Sequence, residues 1–291
     1  MKEHNGLIRE NYPLGLLTSY GCGGSVSYFC SANSIEDLRF AVSFAQSAGL
    51  PLLMLGGGTN ILVSDSGVKA LVVKLGGELS AISVDGDTVR AGAGATMGSL
   101  AVACIDAGLS GLEGCVGIPG TVGGALWGNA GTPLGSISDC VESVEILSPE
   151  TGVVTAKTKG ECGFGYRRSA LHRLVILGGV FKMRRSTRAA VKDLAIQIVG
   201  MRGKHPHGRS AGCVFKNPEA GPAGKLIDGA GMKLARVGGA FVSDKHANFI
   251  ISDGATSSDI HALLRRCREA VKAKYSVDLE PEIRLWGFDN R

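Results

Sequence analysis

The sequence has few aromatic residues, no paired cysteines and no long apolar run. Aromatic side chains make up only 5% of its 291 residues, which weakens an interpretation based on stacking against nucleic-acid bases. None of the eight cysteines forms a C-x-x-C pair, so we expect neither a metal site nor a disulfide framework. No stretch is long and apolar enough to cross a bilayer, and the N-terminal residues lack the apolar core of a secretory signal. A cytoplasmic protein without a membrane partner is therefore expected.

Two common nucleotide-binding motifs are also missing. No G-x-x-x-x-G-K-[ST] string occurs, which excludes a P-loop enzyme. The string nearest to a dinucleotide fingerprint, Gly92–Gly98, has the wrong glycine spacing. The sequence therefore gives no support for a Rossmann domain.

Glycine, in contrast, is abundant, with 44 residues, or about twice the usual share of roughly 7%. Two segments concentrate it, Gly56–Asn60 and Gly114–Gly124. Glycine permits positive φ and close approach, and its exposed N–H groups suit anions. From the glycines alone an ordinary tight turn is the commoner explanation. Two backbone cradles that hold a long ligand with a central diphosphate are the alternative.

Positive charge is concentrated in one part of the chain. The net charge is +5, but residues 157–209 contain 13 Lys and Arg against two acids, Glu161 and Asp193. Such a stretch suits a phosphorylated small molecule or a nucleic acid, or it is a solvated helix face. The scarcity of aromatic residues favours the small molecule over nucleic acid.

Apolar spacing predicts alternating strands and helices, with the first glycine segment at a strand end inside a β-α-β unit. The glycine-rich stretch Gly108–Gly131 is predicted to be an ordered loop without regular structure. Helices are predicted after a Ser34 cap, over Thr96–Ala107, from Ser186 to about Met201, and after a cap at Ser257 or Ser258. Strands are predicted at Val26–Cys30, Leu52–Leu55, Ala70–Leu75, Leu174–Met183, Phe249–Ser252 and Ile283–Trp286, with hairpins at Ile82–Val89 and Val144–Ala156.

Six strings spread over nearly the whole chain resemble the UDP-N-acetylenolpyruvoylglucosamine reductase family, the flavin enzymes of peptidoglycan precursor synthesis. They occur in the order of the family. They are PLLMLGGGTNILVSDSG (51–67), GLEGCVGIPGTVGGALWGNAG (111–131), FGYRRSAL (164–171), GCVFKNP (212–218), AGKLIDGAGMKLARVGGAFVSDKHANFI (223–250) and LEPEIRLWG (279–287).

The resemblance implies an α+β protein with a two-lobed FAD-binding fold of the vanillyl-alcohol-oxidase (PCMH) type. The FAD-binding domain would span residues 1–190, in lobes of about 1–75 and 76–190, and a C-terminal α+β substrate-binding domain would span 191–291. NADPH would donate hydride through FAD to the enol ether of UDP-N-acetylglucosamine enolpyruvate. The residues expected to bind FAD are Gly56, Gly57, Gly58, Thr59, Asn60, Gly117, Ile118, Pro119, Gly120, Gly123 and Gly124.

Three residues match the catalytic positions of the family. Arg167 would bind the substrate carboxylate as its charge grows, since a guanidinium grips planar oxyanions with two hydrogen bonds. Glu282 would assist the enolate, although Glu280 shares its strand face and the pattern alone does not separate the two. Cys213 stands where the family commonly has serine as proton donor. A cysteine is usually a small buried apolar residue, but a thiol is mostly protonated at neutral pH and can donate.

Four further residues match substrate positions, namely Tyr166, Lys204, Asn217 and His246. The expected partner is a small molecule, and a monomer is expected. The alternatives are another FAD-dependent sugar or alcohol oxidoreductase on the same scaffold, and a non-catalytic nucleotide-binding protein.

Overall fold

A computed structural model describes residues 6–202 and 206–288. The α-helices of these residues are α1 Ile35–Ser47, α2 Met97–Asp106, α3 Val122–Gly128, α4 Arg188–Arg202, α5 Ala223–Gly229 and α6 Ser257–Tyr275. The strands are β1 Ile8–Tyr12, β2 Val26–Ala32, β3 Leu52–Leu55, β4 Ile61–Val63, β5 Val68–Leu75, β6 Ile82–Asp85, β7 Thr88–Gly92, β8 Leu109–Ser110, β9 Gly131–Thr132, β10 Gly135–Ser136, β11 Val141–Leu147, β12 Val154–Thr158, β13 Val175–Lys182, β14 Arg184–Arg185, β15 Arg236–Val237, β16 Ala240–Val242, β17 Ile250–Ser252 and β18 Arg284–Trp286.

The chain packs as two compact units. Packing assigns the early segments Glu10–Tyr28 and Gly58–Lys69 to the same unit as Lys204–Arg291, here called unit 2. Unit 1 contains the remaining residues, up to Gly203. The expected boundary between residues 190 and 191 separates a cofactor-binding domain from a substrate-binding domain. Because these domains are defined by the ligands that they bind and the two units by packing, that boundary stays a prediction.

Most of the predicted β-α-β unit lies in unit 1, which contains β2 from Phe29 onward, α1 and β3. Ser34 caps α1 as expected, because its hydroxyl accepts from the Asp37 N–H and the Asp37 carboxylate accepts from the Ser34 N–H. The chain then returns through β3, which pairs in parallel with β5 in the sheet ordered β1-β2-β5-β3. The first glycine segment therefore begins directly at the end of a sheet strand, as the sequence predicts.

The second sheet of unit 1 is built from the two predicted hairpins and the long strand between them, in the order β12-β11-β13-β7-β6. Helix α3 contacts β13 of this sheet. Because α3 lies within residues 108–131, the prediction that this stretch lacks regular structure is wrong. Val122, Ala125 and Leu126 occur at helical spacing and are buried, and this apolar face stabilises a helix despite the neighbouring glycines.

Unit 2 is an α+β unit with its own core. It contains the antiparallel sheet β15-β16-β17, the parallel pair β18-β4, and the helices α5 and α6. Helix α6 buries Ile260, Leu263, Leu264, Cys267 and Val271, as the spacing predicts. Its cap is Thr256 rather than the predicted Ser257 or Ser258. Among the described residues, no helix has both the length and the apolar character needed to span a membrane.

Asp65 completes the N-terminus of α6 from a distant part of the chain. Its carboxylate accepts from the Ser257 N–H at 3.0 Å, the Ser258 N–H at 2.8 Å and the Ser258 hydroxyl at 2.7 Å. Thr256 accepts the next N–H, that of Asp259. The early segment around β4 is thereby tied to the C-terminal helix of the same unit, since these N–H groups have no partner within the helix.

We expect Asp65→Asn to destabilise unit 2 by about 1–2 kcal/mol, because an amide accepts through only one of its two polar atoms. Burial raises the pKa of Asp65, but the Ser257 and Ser258 hydrogen bonds outweigh it and lower the pKa below its usual 3.8. The stabilisation is thus present above pH 3.8 and is lost as the pH falls through the lower folded value. Urea unfolding of wild type and variant at pH 7 and pH 3 measures the difference. The exposed Asp253→Asn is the control, and an equal loss in both variants contradicts the assignment.

Candidate active site

The two glycine segments approach each other closely in unit 1. A Cβ added to Gly56 would lie 2.6 Å from the Thr121 Oγ1, and one added to Gly123 would lie 2.9 Å from the Ala93 Cβ. Only glycine fits such distances without a shift of the neighbour. Gly117 and Gly120 have φ of +75° and +117°, so the second segment also needs glycine for its backbone turns.

Backbone hydrogen bonds hold the second segment in place. The Val122 and Gly123 N–H groups donate to the Ala95 and Ala93 carbonyls at 2.8 and 2.9 Å. The Thr121 hydroxyl accepts from the Gly124 N–H at 3.3 Å and caps α3. Ile118 and Pro119 lie in the irregular loop before this cap. Gly57 is exposed at the end of the unit 1 part of the first segment.

The rest of the first segment, Gly58–Asn60, belongs to unit 2. Gly58 has φ +66°, and its carbonyl accepts from the Ser19 N–H and the Ser19 hydroxyl. The Asn60 side-chain amide donates to the Glu282 carbonyl at 3.1 Å, and the Asn60 carbonyl accepts from the Arg284 N–H at 2.9 Å. This contact places the end of the first glycine segment, with Thr59, beside one predicted catalytic residue.

Unit 2 also brings Cys213 next to Glu282. The strand segments around Phe215 and Pro281 form an antiparallel bridge, and the Glu282 N–H donates to the Val214 carbonyl at 2.8 Å. Cys213 itself bridges Phe249 on its other side. Both predicted side chains are half-buried. A thiol and a carboxyl group, 69 residues apart in sequence, therefore lie on neighbouring extended segments.

The structure separates Glu282 from Glu280, which the sequence pattern does not. The Glu280 carboxylate forms an ion pair with the Lys216 ammonium at 2.6 Å and is 69% exposed. Exposed pairs of this kind stabilise a protein little and are common on surfaces. Glu280 is therefore a surface residue, and Glu282 is the better candidate for chemistry.

Asn248 supports the Cys213 strand, and sequence reasoning missed it. It is 2% exposed, and its side chain accepts from the Phe215 N–H at 3.0 Å and donates to the Phe215 carbonyl at 2.8 Å. Its carbonyl accepts from the Val214 N–H. The Asn248 side chain thus makes the pair of hydrogen bonds to Phe215 that the backbone of a neighbouring strand would make in a sheet. Its only signal in the sequence is its place two residues after His246.

His246 is oriented by the same loop. Its Nδ1 accepts from the Asn248 N–H at 3.2 Å. Its ring packs edge-on against that of Phe249, with the ring centroids 5.0 Å apart, which lies within the range of about 4.5–7 Å that is typical of aromatic pairs. Burial lowers the pKa of His246, which favours the neutral ring, and because Nδ1 accepts a hydrogen bond a neutral ring carries its proton on Nε2. Asn217 is exposed, and its Oδ1 accepts from the Ala223 N–H at 2.9 Å. The predicted Lys204 lies outside the described residues.

Arg167 lies in unit 1, in a two-residue turn closed by hydrogen bonds in both directions between Gly165 and Arg168. Its φ is +53°, a conformation uncommon for a residue with a side chain. Its Nη2 donates to the Gly131 carbonyl at 2.8 Å, and its guanidinium lies 5.3 Å from the centre of the Tyr166 ring. Tyr166 is 55% exposed. Arg167 is half-buried and fixed, whereas Arg168 is exposed.

The predicted residues are thus distributed over both units. Unit 1 holds Gly56, the second glycine segment and the turn with Tyr166 and Arg167. Unit 2 holds Gly58–Asn60, Cys213, Asn217, His246 and Glu282. The described residues contain no group of three or more His, Cys, Asp or Glu side chains arranged to hold a metal ion.

Comparisons with known proteins cover both units. Residues 26–157 match the family described as FAD binding domain, and residues 204–286 match the C-terminal domain of UDP-N-acetylenolpyruvoylglucosamine reductase. The chain is 39% identical, over 98% of its length and 94% of the relative, to UDP-N-acetylenolpyruvoylglucosamine reductase 2 of Symbiobacterium thermophilum. It is 40% identical to the reductase of Moorella thermoacetica, over 96% of this chain and 93% of the relative.

Solved structures agree with these matches. The crystal structure of UDP-N-acetylenolpyruvylglucosamine reductase from Thermus caldophilus covers 96% of this chain and 99% of its own, with a TM-score of 0.85 at 35% identity. Phl p 4.0202, a glucose dehydrogenase, covers 62% of this chain and 42% of its own, with a TM-score of 0.51 at 19% identity, and so shares the fold alone. The predicted fold, an FAD-binding part of the PCMH type followed by an α+β part, is confirmed. The chain belongs to the UDP-N-acetylenolpyruvoylglucosamine reductase family.

Proposed function

We propose that the protein reduces UDP-N-acetylglucosamine enolpyruvate to UDP-N-acetylmuramate, using NADPH and bound FAD, in peptidoglycan precursor synthesis. The observation that carries this proposal is the 39% identity to a reductase over 98% of this chain and 94% of the relative.

The glycine segments fit FAD. Side chains at Gly56 and Gly123 would collide with Thr121 and Ala93, so these positions present bare backbone. Exposed N–H groups suit a diphosphate, and bare backbone also lets it approach closely. Gly56, Gly57, Gly58, Thr59 and Asn60 would hold it on one side, and Gly117, Ile118, Pro119, Gly120, Gly123 and Gly124 on the other. Gly123 and Gly124 would contribute close approach, since their N–H groups donate to the Ala93 carbonyl and the Thr121 hydroxyl. When bound, FAD supplies a carrier that accepts hydride from NADPH and passes it to the substrate.

Gly56→Ala should lower FAD affinity by about 10- to 100-fold, since the added methyl group pushes on the Thr121 hydroxyl and overpacking of this kind costs about 1–3 kcal/mol. Thr121→Ala in the same chain should restore part of the affinity, because it removes that hydroxyl. Equilibrium titration of the apoprotein with FAD measures both effects. Gly98→Ala is the control, as the nearest atom to its added Cβ is 3.7 Å away. Equal losses in the Gly56 and Gly98 variants would disprove the close approach.

Arg167 binds the substrate carboxylate in this proposal. Delivery of hydride to the methylene carbon leaves negative charge on the neighbouring carbon, and this charge spreads into the attached carboxylate. A guanidinium held by the Gly131 carbonyl meets the growing charge without having to reorient. Glu282 lies on the segment that is hydrogen-bonded to Val214, next to Cys213, and would donate a hydrogen bond to the carboxylate in its protonated form.

Cys213 completes the reaction as the proton donor. Its S–H bond breaks as a C–H bond forms at the carbon beside the carboxylate, and the thiolate then recovers a proton from water. The balance is one hydride from NADPH and one proton from solvent added across the double bond. Cys213 is half-buried, and Asn248 fixes the segment that carries it through a hydrogen bond to Phe215. Such a fixed position suits a proton donor, because the donor must first lie within hydrogen-bonding distance of the carbon, whatever its pKa.

Tyr166, Lys204, Asn217 and His246 would contact the nucleotide sugar. The neutral His246 presents its Nε2 proton as a hydrogen-bond donor without the cost of a buried charge. The partner is thus a small molecule, and we place the reaction in the cytoplasm, where NADPH is available and the thiols stay reduced. We expect a monomer, and gel filtration measures that state.

Flavin colour tests the proposal. The purified protein should be yellow, NADPH should bleach it anaerobically, and UDP-N-acetylglucosamine enolpyruvate should then restore the colour with formation of UDP-N-acetylmuramate. Bleaching without recovery by this substrate would favour another sugar or alcohol oxidoreductase. A colourless protein that FAD does not reconstitute would favour a non-catalytic nucleotide-binding protein.

A further inference from the structure

We propose that Asn129 is a positioning residue for Arg167. It attaches the turn that presents Arg167 to the C-terminal end of α3, the helix that begins within the second glycine segment. The inference rests on the proposed function, in which Arg167 binds the substrate carboxylate. In this inference the buried Asn129 side chain aligns the Arg167 guanidinium with the backbone that would bind FAD.

Both ends of the Asn129 side chain are used. Its Nδ2 donates to the Gly165 carbonyl at 2.9 Å, and its Oδ1 accepts from the Ser138 N–H at 3.3 Å. The residue is 8% exposed, so water does not easily replace either partner. A donor and an acceptor on one short side chain are the property of an amide, and neither aspartate nor leucine provides both.

The backbone of Asn129 explains why asparagine suits the position. It is the C-cap of α3, with φ +46°, in the left-handed region. Asparagine and glycine tolerate this region better than other residues. The sharp change of direction brings the chain after α3 back toward the Gly165–Arg168 turn.

Three alternate residues, beginning with Trp127 in the last turn of α3, bind the segment around Arg167 by hydrogen bonds. Trp127 accepts at its carbonyl from the Ser169 hydroxyl at 2.7 Å, Asn129 donates to Gly165, and Gly131 accepts from the Arg167 Nη2. Ser169 is 5% exposed. The turn is therefore bound before, at and after Arg167. A left-handed conformation at a residue with a side chain persists where the surroundings impose it, and these hydrogen bonds do so.

Asn129→Gly tests this role, because glycine keeps the left-handed backbone and removes only the side-chain bonds. We expect kcat to fall by about 10- to 100-fold, while the FAD dissociation constant and the rate of bleaching by NADPH change little. The thermal midpoint of the apoprotein falls, because the Gly165 carbonyl and the Ser138 N–H each lose a buried partner. Ser169→Ala should give the same pattern more weakly, and it decides the question if the glycine variant does not fold. Ser276→Gly is the control, as Ser276 is the left-handed C-cap of α6 in unit 2.

A double-mutant cycle makes the test specific. If Asn129 acts through Arg167, then Asn129→Gly adds no further loss to an Arg167→Lys chain. Losses that multiply in the double variant would overturn the inference, as would a parallel loss of FAD binding. Failure of the proposed function looks different: the wild-type protein would then not turn over the enolpyruvyl sugar at all.

Discussion

Cys213→Ala slows reoxidation of the NADPH-reduced protein by the enolpyruvyl substrate by about 10²- to 10⁴-fold, the range usual for loss of a general acid. The rate of bleaching by NADPH stays unchanged, because that half of the reaction needs no proton at the substrate carbon. Rapid-mixing absorbance under anaerobic conditions measures each half separately. This split distinguishes a proton donor from a residue that only supports the fold.

Two further variants sharpen that result. Cys213→Ser keeps activity within about tenfold, a barrier change below about 1.4 kcal/mol, since the hydroxyl occupies the same position on the strand held by Asn248. Cys22→Ala is the control, as Cys22 is another half-buried thiol of unit 2. Normal reoxidation of Cys213→Ala, or equal slowing in the Cys22 variant, would remove Cys213 from the mechanism.

Arg167→Lys lowers kcat/KM for the enolpyruvyl substrate by about 10²- to 10³-fold, as expected for loss of a preorganised oxyanion contact. The guanidinium binds the Gly131 carbonyl through Nη2 at 2.8 Å and has further N–H groups in the same plane. An ammonium is a point charge on a flexible stem and does not reproduce this geometry. Steady-state kinetics with the enolpyruvyl sugar as the varied substrate measure the loss.

Arg168→Lys is the matched control, since Arg168 is the neighbouring arginine and is exposed. It should retain wild-type kinetics. The pair also tests which arginine binds the substrate, because the same loss at Arg168 would contradict the assignment of the carboxylate contact to Arg167. Backbone strain does not confound the comparison, since lysine and arginine meet similar limits in the left-handed region.

Much of the local structure follows from the sequence. Ser34 and Asp37 lie three residues apart and cap α1 as their spacing predicts. The long helix α6 was predicted from its apolar face, with an error of one or two residues at the cap. Such features depend on groups within a few residues of one another. The exception is α3, whose short apolar face was hidden among glycines until its burial against β13 was known.

What the sequence alone determined is the set of chemical groups: bare backbone in two segments, one cysteine, one arginine, and a pair of glutamates, Glu280 and Glu282, that its pattern does not separate. Only the tertiary structure showed that Glu280 forms an ion pair with Lys216 and that Arg167 donates to the Gly131 carbonyl. It also showed that the buried Asn129 and Asn248 hydrogen-bond to the segments around Arg167 and Cys213. The physical reason is distance along the chain. Asn129 meets Gly165 across 36 residues and Asp65 meets Ser258 across 193, and hydrogen bonds of that range exist only after the chain has packed.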